Sequence, residues 1–403
     1  MTRRWTRAAL LIGAAAVTCA GLAATASATT ATRGGSAAKV IKVGFIYSRT
    51  GLLSQFGAEM ISGYKLGLQY TKGKCGGYTI DTKYVDDATD SAKAVAAAKD
   101  LIGQGYKIVA GTASSGAALQ IAPIADQNQI LYISGAAASD AITGINRHTF
   151  RAGRQSYQDV LDAANILPPK TAGKKVVVFA EDTAFGQGNV AAVTAVFGGK
   201  GHTVSKLLVP FGAADLTPYA QQLKNLNADM VFVAWAGTNG PAMWQALQQQ
   251  GVSKSTTIVT GLANRAIYPV FGPQVPGVTL VSHYVYQAAK NPVNEWLVST
   301  MKKNGQVPDI FTPDGFVTAQ MICRAVTKAG GDSNVDGMIS GLEGWQFMGP
   351  KGVQRIRPQD HAMLQPMFQV QLVKGGNGKY DAKALKTVSA GLVQPPIKPF
   401  PTP

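Results

Sequence analysis

The sequence predicts an α/β protein made of two doubly wound lobes, each with a parallel sheet between layers of helices. From residue 40 onward, short apolar runs alternate with longer segments of helical periodicity. Runs such as residues 176–179 are apolar at every position, as in parallel strands buried on both faces. The alternating block occurs twice in the chain, and this alternation favours βαβ units with right-handed crossovers.

Each element follows from its local pattern, since alternating or continuous apolar runs predict strands and apolar residues three and four apart predict helices. The first block predicts strands at residues 40–46, 78–85, 108–110 and 130–134, and helices at 57–71, 91–103 and 117–128. The second block predicts strands at 175–180, 204–209, 230–235, 257–260 and 278–284, and helices at 187–198, 216–227 and 241–250. Glycine and proline are frequent after residue 374, so we expect a poorly ordered tail.

The amino terminus has the features of an export signal. Three arginines precede an uncharged, mostly apolar run at residues 8–21, and Ala26-Ser27-Ala28 matches a small-residue cleavage site. Residues 1–28 are therefore expected to form a signal peptide, and residues 29–39 a flexible tether. Lipidation at Cys19 remains an alternative, although threonine precedes this cysteine where glycine or alanine is usual. Either route predicts an exported, extracytoplasmic protein.

Composition excludes several classes of function. The chain has 403 residues, of which 46% are hydrophobic and 15% charged, so it is not a disordered or collagen-like protein. Its three cysteines exclude a disulfide-dense scaffold, and its four histidines are widely spaced, so we expect no metal and no cofactor. The net charge is +16, or +13 once cleavage removes three arginines and no acidic residue. These charges are scattered and no nucleic-acid-binding motif is present, so no nucleic-acid partner is expected. No apolar run after the signal is long enough for a membrane span.

Three loops that follow predicted strands are candidates for a ligand site. They lie at residues 48–57, 111–116 and 134–139 and are rich in small residues. Open parallel sheets bind ligands beyond the carboxyl ends of their strands, and serine hydroxyls with helix-start N–H groups suit an anion. The alternative is that the small polar residues only cap the helices. In the same way, Asp86 and Asp87 are expected to cap the next helix rather than to bind a metal.

At these loops the chain resembles the type I periplasmic-binding-protein family of the Leu/Ile/Val-binding type, the solute-binding subunits of ABC importers. The resemblance extends over residues 40–373, and its motifs lie at residues 41–44, 50–51, 56–57, 86–89, 111–116, 133–138, 181–186, 348–352 and 360–361. It implies two αβα lobes joined by three crossings, near Ala152, Tyr284 and Gln365, with a ligand cleft between them. Residues 40–152 and 284–364 would form lobe one, residues 153–283 and 365–385 lobe two, and residues 386–403 a proline-rich tail.

The resemblance also implies which residues contact the ligand. The family positions fall on Phe56, Ser115 beside Ser114, Ala136, Ala138, Phe185, and Trp235 next to Ala236. Phenylalanine replaces tyrosine at two of these positions. Ala138 replaces a threonine of amino-acid binders, and residues 260–265 lack the acid that would pair with an α-ammonium. A buried ammonium without an anionic partner is costly, so an α-amino acid is disfavoured.

Arg154 and Arg265 lie near the predicted cleft and would suit a carboxylate instead. We therefore expect an aromatic or otherwise apolar carboxylate as ligand, with a branched-chain amino-acid-like ligand kept open. The aromatic residues could simply pack in the core and the arginines could form ion pairs. His361 is expected to be structural. After signal cleavage only Cys75 and Cys323 remain, both in lobe one by the family mapping, and their pairing stays open because sequence does not give the Cα separation.

The implied function is a ligand-capturing subunit that closes around a small molecule and delivers it to membrane permease subunits, acting as a monomer. A ligand sensor of the same fold, acting through a receptor or regulator, is the alternative. An enzyme is not expected. The chain has no G-x-S-x-G, H-E-x-x-H or Walker A motif, and no histidine lies in the lobe-one cleft loops to activate Ser114 or Ser115.

Overall fold

The computed structural model describes residues 39–72, 74–166, 173–261, 264–271, 278–374 and 380–402. The predicted signal peptide, Cys19 and nearly all of the tether lie outside the described residues. The described helices α1 to α11 are Ser54–Thr71, Ser91–Gly103, Ser115–Gln127, Ser156–Ala164, Ala184–Val193, Thr217–Asn225, Gly240–Gln249, Tyr268–Phe271, Pro292–Lys302, Thr312–Ala329 and Val335–Leu342. The described strands β1 to β15 are Lys39–Tyr47, Tyr78–Asp86, Ile108–Gly111, Leu131–Ser134, Thr149–Arg151, Lys175–Glu181, Thr203–Val209, Met230–Ala234, Thr257–Thr260, Val278–Ser282, Gln346–Gly349, Gly352–Ile356, Met363–Leu364, Met367–Lys374 and Tyr380–Val388.

Two sheets form the framework, which confirms the predicted two-lobed α/β class. The first sheet has the order β2-β1-β3-β4-β5, with all neighbours parallel. The second has the order β15-β14-β10-β9-β8-β6-β7; β6 to β10 are parallel, whereas β14 and β15 run antiparallel. The second lobe is therefore a mixed sheet. No helix in the described ranges is long and apolar enough to cross a membrane.

Helices bury both faces of each sheet. The central strands β3, β6 and β8 are almost fully buried, as their uninterrupted apolar sequences require. In the first lobe α1 packs closely against α10. A Cβ atom at Gly63 would overlap the Thr312 carbonyl oxygen, and one at Gly315 would overlap the Met60 carbonyl oxygen, so these glycines permit the close approach.

The passages of the chain between the sheets meet at a buried ionic cluster. The first follows β5 and includes Arg154, the second follows β10 and includes His283, and the third separates β13 from β14 and includes Gln365. At their centre, Lys351 Nζ lies 2.6 Å from Asp314 Oδ1 and 3.0 Å from Gln365 Oε1. Burial lowers the pKa of His283, and the nearby cations Lys351 and Arg154 lower it further.

Residues 380–402 of the carboxyl-terminal tail are ordered, contrary to the expectation from their composition, and residues 375–379 lie outside the described residues. β15 completes the second sheet, and residues 389–402 then pass back to the first lobe. Val393 is fully buried and packs with Met367 and Val388. The Arg357 guanidinium donates to the carbonyl oxygens of Pro395 and Pro396 at 2.7 and 3.0 Å. Because a buried arginine needs acceptors and proline carbonyls supply them, this proline-rich segment is held in place.

The acidic residues before α2 also differ from expectation. Asp90, rather than Asp86 or Asp87, caps the helix by accepting from two backbone N–H groups of its first turn. Asp86 accepts from the N–H groups of Arg49 and Thr50. Asp87 is buried and accepts from the hydroxyl groups of Ser48 and Thr112. These two carboxylates therefore fix the loops that follow β1 and β3.

Candidate ligand cavity

A cavity lies beyond the carboxyl ends of strands from both sheets. It encloses about 500 Å³ of space between atoms, part of it open to solvent. The two lobes also touch directly, because Thr238 N donates to Leu52 O at 3.0 Å. The cavity is lined by Leu53, Phe56, Ala113, Ser114, Ser115, Gly116, Ala136, Ala138, Arg154, Glu181, Thr183, Phe185, Phe211, Ala236 and Phe311.

The structure brings seven of the nine sequence-predicted ligand residues to this cavity. They are Phe56, Ser114, Ser115, Ala136, Ala138, Arg154 and Phe185. Segments after β1, β3, β4 and β5 of the first sheet carry six of them there, because parallel strands end at one edge, and Phe185 follows β6 of the second sheet. Four phenylalanines make most of the apolar wall, and the rings of Phe56 and Phe311 lie 4.6 Å apart. Such a wall suits a flat, apolar ligand body.

Trp235 lies outside this cavity. Its ring packs 5.5 Å from that of Phe179, and its Nε1 donates to Asn239 Oδ1 at 2.9 Å. It lines a second, adjoining cavity that shares Phe56 and Ala236 with the first. The tryptophan therefore packs at the end of β8, and its polar atom is engaged within its own lobe.

Arg265 also lies outside the cavity. Its Nη1 is 2.5 Å from Asp381 Oδ1, and its guanidinium lies over the Tyr286 ring. Asp381 is the second residue of β15, in the segment that composition assigns to a poorly ordered tail. The Arg265 guanidinium is engaged in this intramolecular ion pair, and Asp381 raises the pKa of Arg265 against the effect of burial. Residues 262–263 of the neighbouring loop lie outside the described residues.

The serines at the start of α3 have different roles. Ser114 is the N-cap, and its Oγ accepts from Ala117 N at 3.3 Å. Ser115 Oγ accepts from Ser139 N at 3.1 Å, which leaves its hydroxyl proton able to donate towards the cavity. The first N–H groups of a helix add positive potential here. This corner can therefore hold a carboxylate.

Arg154 supplies a cation beside the serines. It is 1% exposed, its Nε lies 3.0 Å from Asp159 Oδ2, and its Nη1 donates to Ala136 O at 3.4 Å. Its Nη2 has no hydrogen-bond partner in the described part of the chain. Burial raises the pKa of Asp159 to about 6, although Arg154 opposes this effect. A buried guanidinium with an unpartnered donor, lining a cavity, favours an anionic ligand.

Sequence reasoning missed Glu181, the acidic residue of this cavity wall. It ends β6, is fully buried, and accepts from the backbone N–H groups of Ala236 and Gly237. Burial raises its pKa to about 7, and the two N–H donors oppose the rise. The signal was available: Glu181 opens the motif that contains Phe185, and it follows a buried strand directly.

The two remaining cysteines face each other in the first lobe. Cys75 follows α1 and Cys323 lies within α10, and their Cα atoms are 4.7 Å apart, joined through a disulfide. Neither cysteine lines the cavity. No group of three or more metal-ligating side chains occurs in the described ranges.

A family model described as periplasmic binding protein matches residues 40–377. The chain belongs to the periplasmic binding protein family. This periplasmic binding protein is 30% identical to a solved structure described as an ABC-type branched-chain amino acid transporter from Rhodopseudomonas palustris, with 89% of this chain and 99% of the other covered and a TM-score of 0.73.

Two further relatives of this periplasmic binding protein are more distant in sequence. A solute-binding protein of an ABC transporter from R. palustris, in complex with 4-hydroxybenzoate, is 22% identical over 87% of this chain and 97% of its own, with a TM-score of 0.80. Leu/Ile/Val-binding protein homolog 3 of Brucella melitensis is 24% identical over 295 residues, 72% of this chain and 79% of that protein. The structural likeness shows a shared fold.

Proposed function

We propose that this chain is the extracytoplasmic solute-binding subunit of an ABC importer, and that it captures a small aromatic carboxylate between its lobes. The residues that form the cavity wall support this ligand class. One corner combines the Ser115 hydroxyl, the start of α3 and the unpartnered Nη2 of Arg154, and phenylalanine rings form the rest of the wall. The protein would act as a monomeric binder without a cofactor and deliver the ligand to permease subunits.

The part of the cavity wall around Ser114 and Ser115, here the serine corner, offers hydrogen-bond donors rather than free acceptors. The Ala136 carbonyl accepts from Arg154, and the Ala138 carbonyl accepts from Ser156 N at 2.8 Å. An α-ammonium placed there would meet a guanidinium and two engaged carbonyl groups. A carboxylate would gain charge-assisted hydrogen bonds at the same place. The corner therefore favours an acid over an amino acid, although one relative is described as a branched-chain amino acid transporter.

Calorimetry on the full processed protein tests this ligand class. We expect benzoate or a hydroxybenzoate to bind with micromolar affinity and leucine to show no binding below about 100 μM. Small-angle scattering is expected to show compaction with the acid, because a ligand that touches both lobes favours the closed form. Micromolar binding of leucine, or absence of binding by every aromatic acid tried, would overturn the proposal.

A pair of serine variants tests the anchoring corner. Ser115→Ala removes a donor to the ligand carboxylate and is expected to weaken binding by about 1.5–3 kcal/mol. Ser114→Ala removes the N-cap of the same helix. We expect it to lower the free energy of unfolding by about 1 kcal/mol and to weaken ligand binding less than Ser115→Ala does. Equal losses of affinity in the two variants would show that Ser115 acts only through the helix.

A further inference from the structure

Glu181 is a second polar group of the cavity wall, and it belongs to the lobe opposite the serine corner. Among the described residues that line the cavity it is the acidic one, and it lies at the end of β6 in the second sheet. Ser115 and the start of α3 belong to the first lobe. A ligand that contacts both lobes would therefore meet the Ser115 hydroxyl on one lobe and a carboxyl group on the other.

The carboxyl group is held in position by the backbone of the loop after β8. Oε2 accepts from Ala236 N at 2.8 Å, and Gly237 N lies 3.1 Å from Oε1 and 3.3 Å from Oε2. A Cβ atom at Gly237 would lie only 2.6 Å from Oε1, so a side chain at this position would displace the carboxyl group from its present place. A carboxylate has about four lone-pair positions. Two N–H donors leave acceptor capacity at the cavity wall.

Among the described residues of the cavity wall, no cation is paired with Glu181. Arg154 is the basic residue among the described lining residues, and its Nε is already paired with Asp159 at 3.0 Å. An apolar ligand group placed against Glu181 would leave the remaining acceptor positions of this buried carboxylate without a hydrogen bond, which is unfavourable. A ligand hydroxyl would supply the missing donor and would form a charge-assisted bond.

We propose that Glu181 accepts a hydrogen bond from a hydroxyl group at the end of the ligand remote from its carboxylate, and that it selects hydroxyl-bearing aromatic acids over unsubstituted ones. This inference rests on the proposed function, since it assigns the ligand carboxylate to the Ser115 and Arg154 corner. It makes Glu181 a specificity-determining residue. It also explains why a carboxyl group is retained in a wall otherwise made largely of phenylalanine and alanine.

The test compares 3- and 4-hydroxybenzoate with the matching fluorobenzoates by calorimetry at pH 8. Fluorine is close to hydroxyl in size but donates no hydrogen bond. In the wild-type protein, one hydroxybenzoate is expected to bind at least about tenfold more tightly than its fluoro counterpart. In Glu181→Gln this preference is expected to fall about tenfold, because a neutral acceptor forms the weaker bond.

Asp182→Asn is the matched control, because it removes a neighbouring exposed carboxylate that accepts from Gln187 outside the cavity. It is expected to leave the preference unchanged. Fluorobenzoate binding by Glu181→Gln shows that the cavity is intact, and an unchanged preference in that variant would refute the role of Glu181 while leaving the proposed function in place. A wild-type preference near one would also refute it, even if Glu181→Gln does not fold. If no benzoate binds the wild-type protein, the proposed function and this inference both fail.

Discussion

The disulfide between Cys75 and Cys323 should be a large contributor to stability. The two residues are 248 positions apart, and the closed loop contains all the parallel strands of the second sheet. The chain-entropy model relates stabilisation to the logarithm of loop length and gives about 5.5 kcal/mol for this loop. Measured values for protein disulfides are usually about 2–4 kcal/mol. We therefore expect the reduced or substituted protein to lose about 3–5 kcal/mol of unfolding free energy.

Cys75→Ala, Cys323→Ala and the double variant, followed by urea denaturation, measure this effect. Each single substitution breaks the same bond, so the three variants are expected to lose nearly equal free energy. The folded variants are expected to keep the wild-type affinity, because neither cysteine lines the cavity. Thiol titration of the denatured, unreduced mature protein is expected to find no free thiol. Two free thiols, or single-variant losses that add up in the double variant, would refute the reasoning.

Two further predictions concern stability. Burial raises the pKa of Asp162 to about 7 from about 3.9 in an unfolded chain. The protonated carboxyl group therefore makes its full contribution to the free energy of unfolding below about pH 4, and this contribution is lost as pH rises to about 7. Asp162→Asn is expected to flatten the fall in unfolding free energy between pH 5 and pH 8 by up to about 3 kcal/mol, measured by urea denaturation at each pH; parallel profiles would contradict this. In the tail, Val393→Ala is expected to cost about 1–2 kcal/mol, whereas Leu392→Ala, at a position 64% exposed, should change stability by less than about 0.5 kcal/mol. Equal midpoints for the two tail variants would show that the buried contact contributes little.

The location of the cavity could be predicted because it follows from short-range patterns. The small-residue loops after β1, β3 and β4 are visible in the sequence, and the parallel arrangement forces their convergence at one edge. Phe56 and Ser115 reach the cavity for that reason. Their neighbourhood is determined by the backbone path rather than by any distant partner.

Other positions in the structure are determined by partners far away in the sequence. Arg265 is paired with Asp381, 116 positions later, and no local pattern shows that this ion pair forms. The tail differs from expectation for the same reason. Its composition is typical of a loop, but contacts of Arg357 and buried Val393 hold it in place in the tertiary structure. Glu181 lies in the motif at residues 181–186, but the position of its carboxyl group is determined by the N–H groups of a loop 55 residues later.

The pairing of α1 with α10 has a consequence for biosynthesis. Phe311, whose ring covers Phe56, comes immediately before α10 and more than 250 positions after the residue it contacts. Contacts at such separation are slow to form, because a long loop must close first. The contiguous parallel strands of the second sheet can assemble earlier, from local contacts. Phe311 lines the cavity, so the cavity wall is complete only after residue 311 has joined the fold.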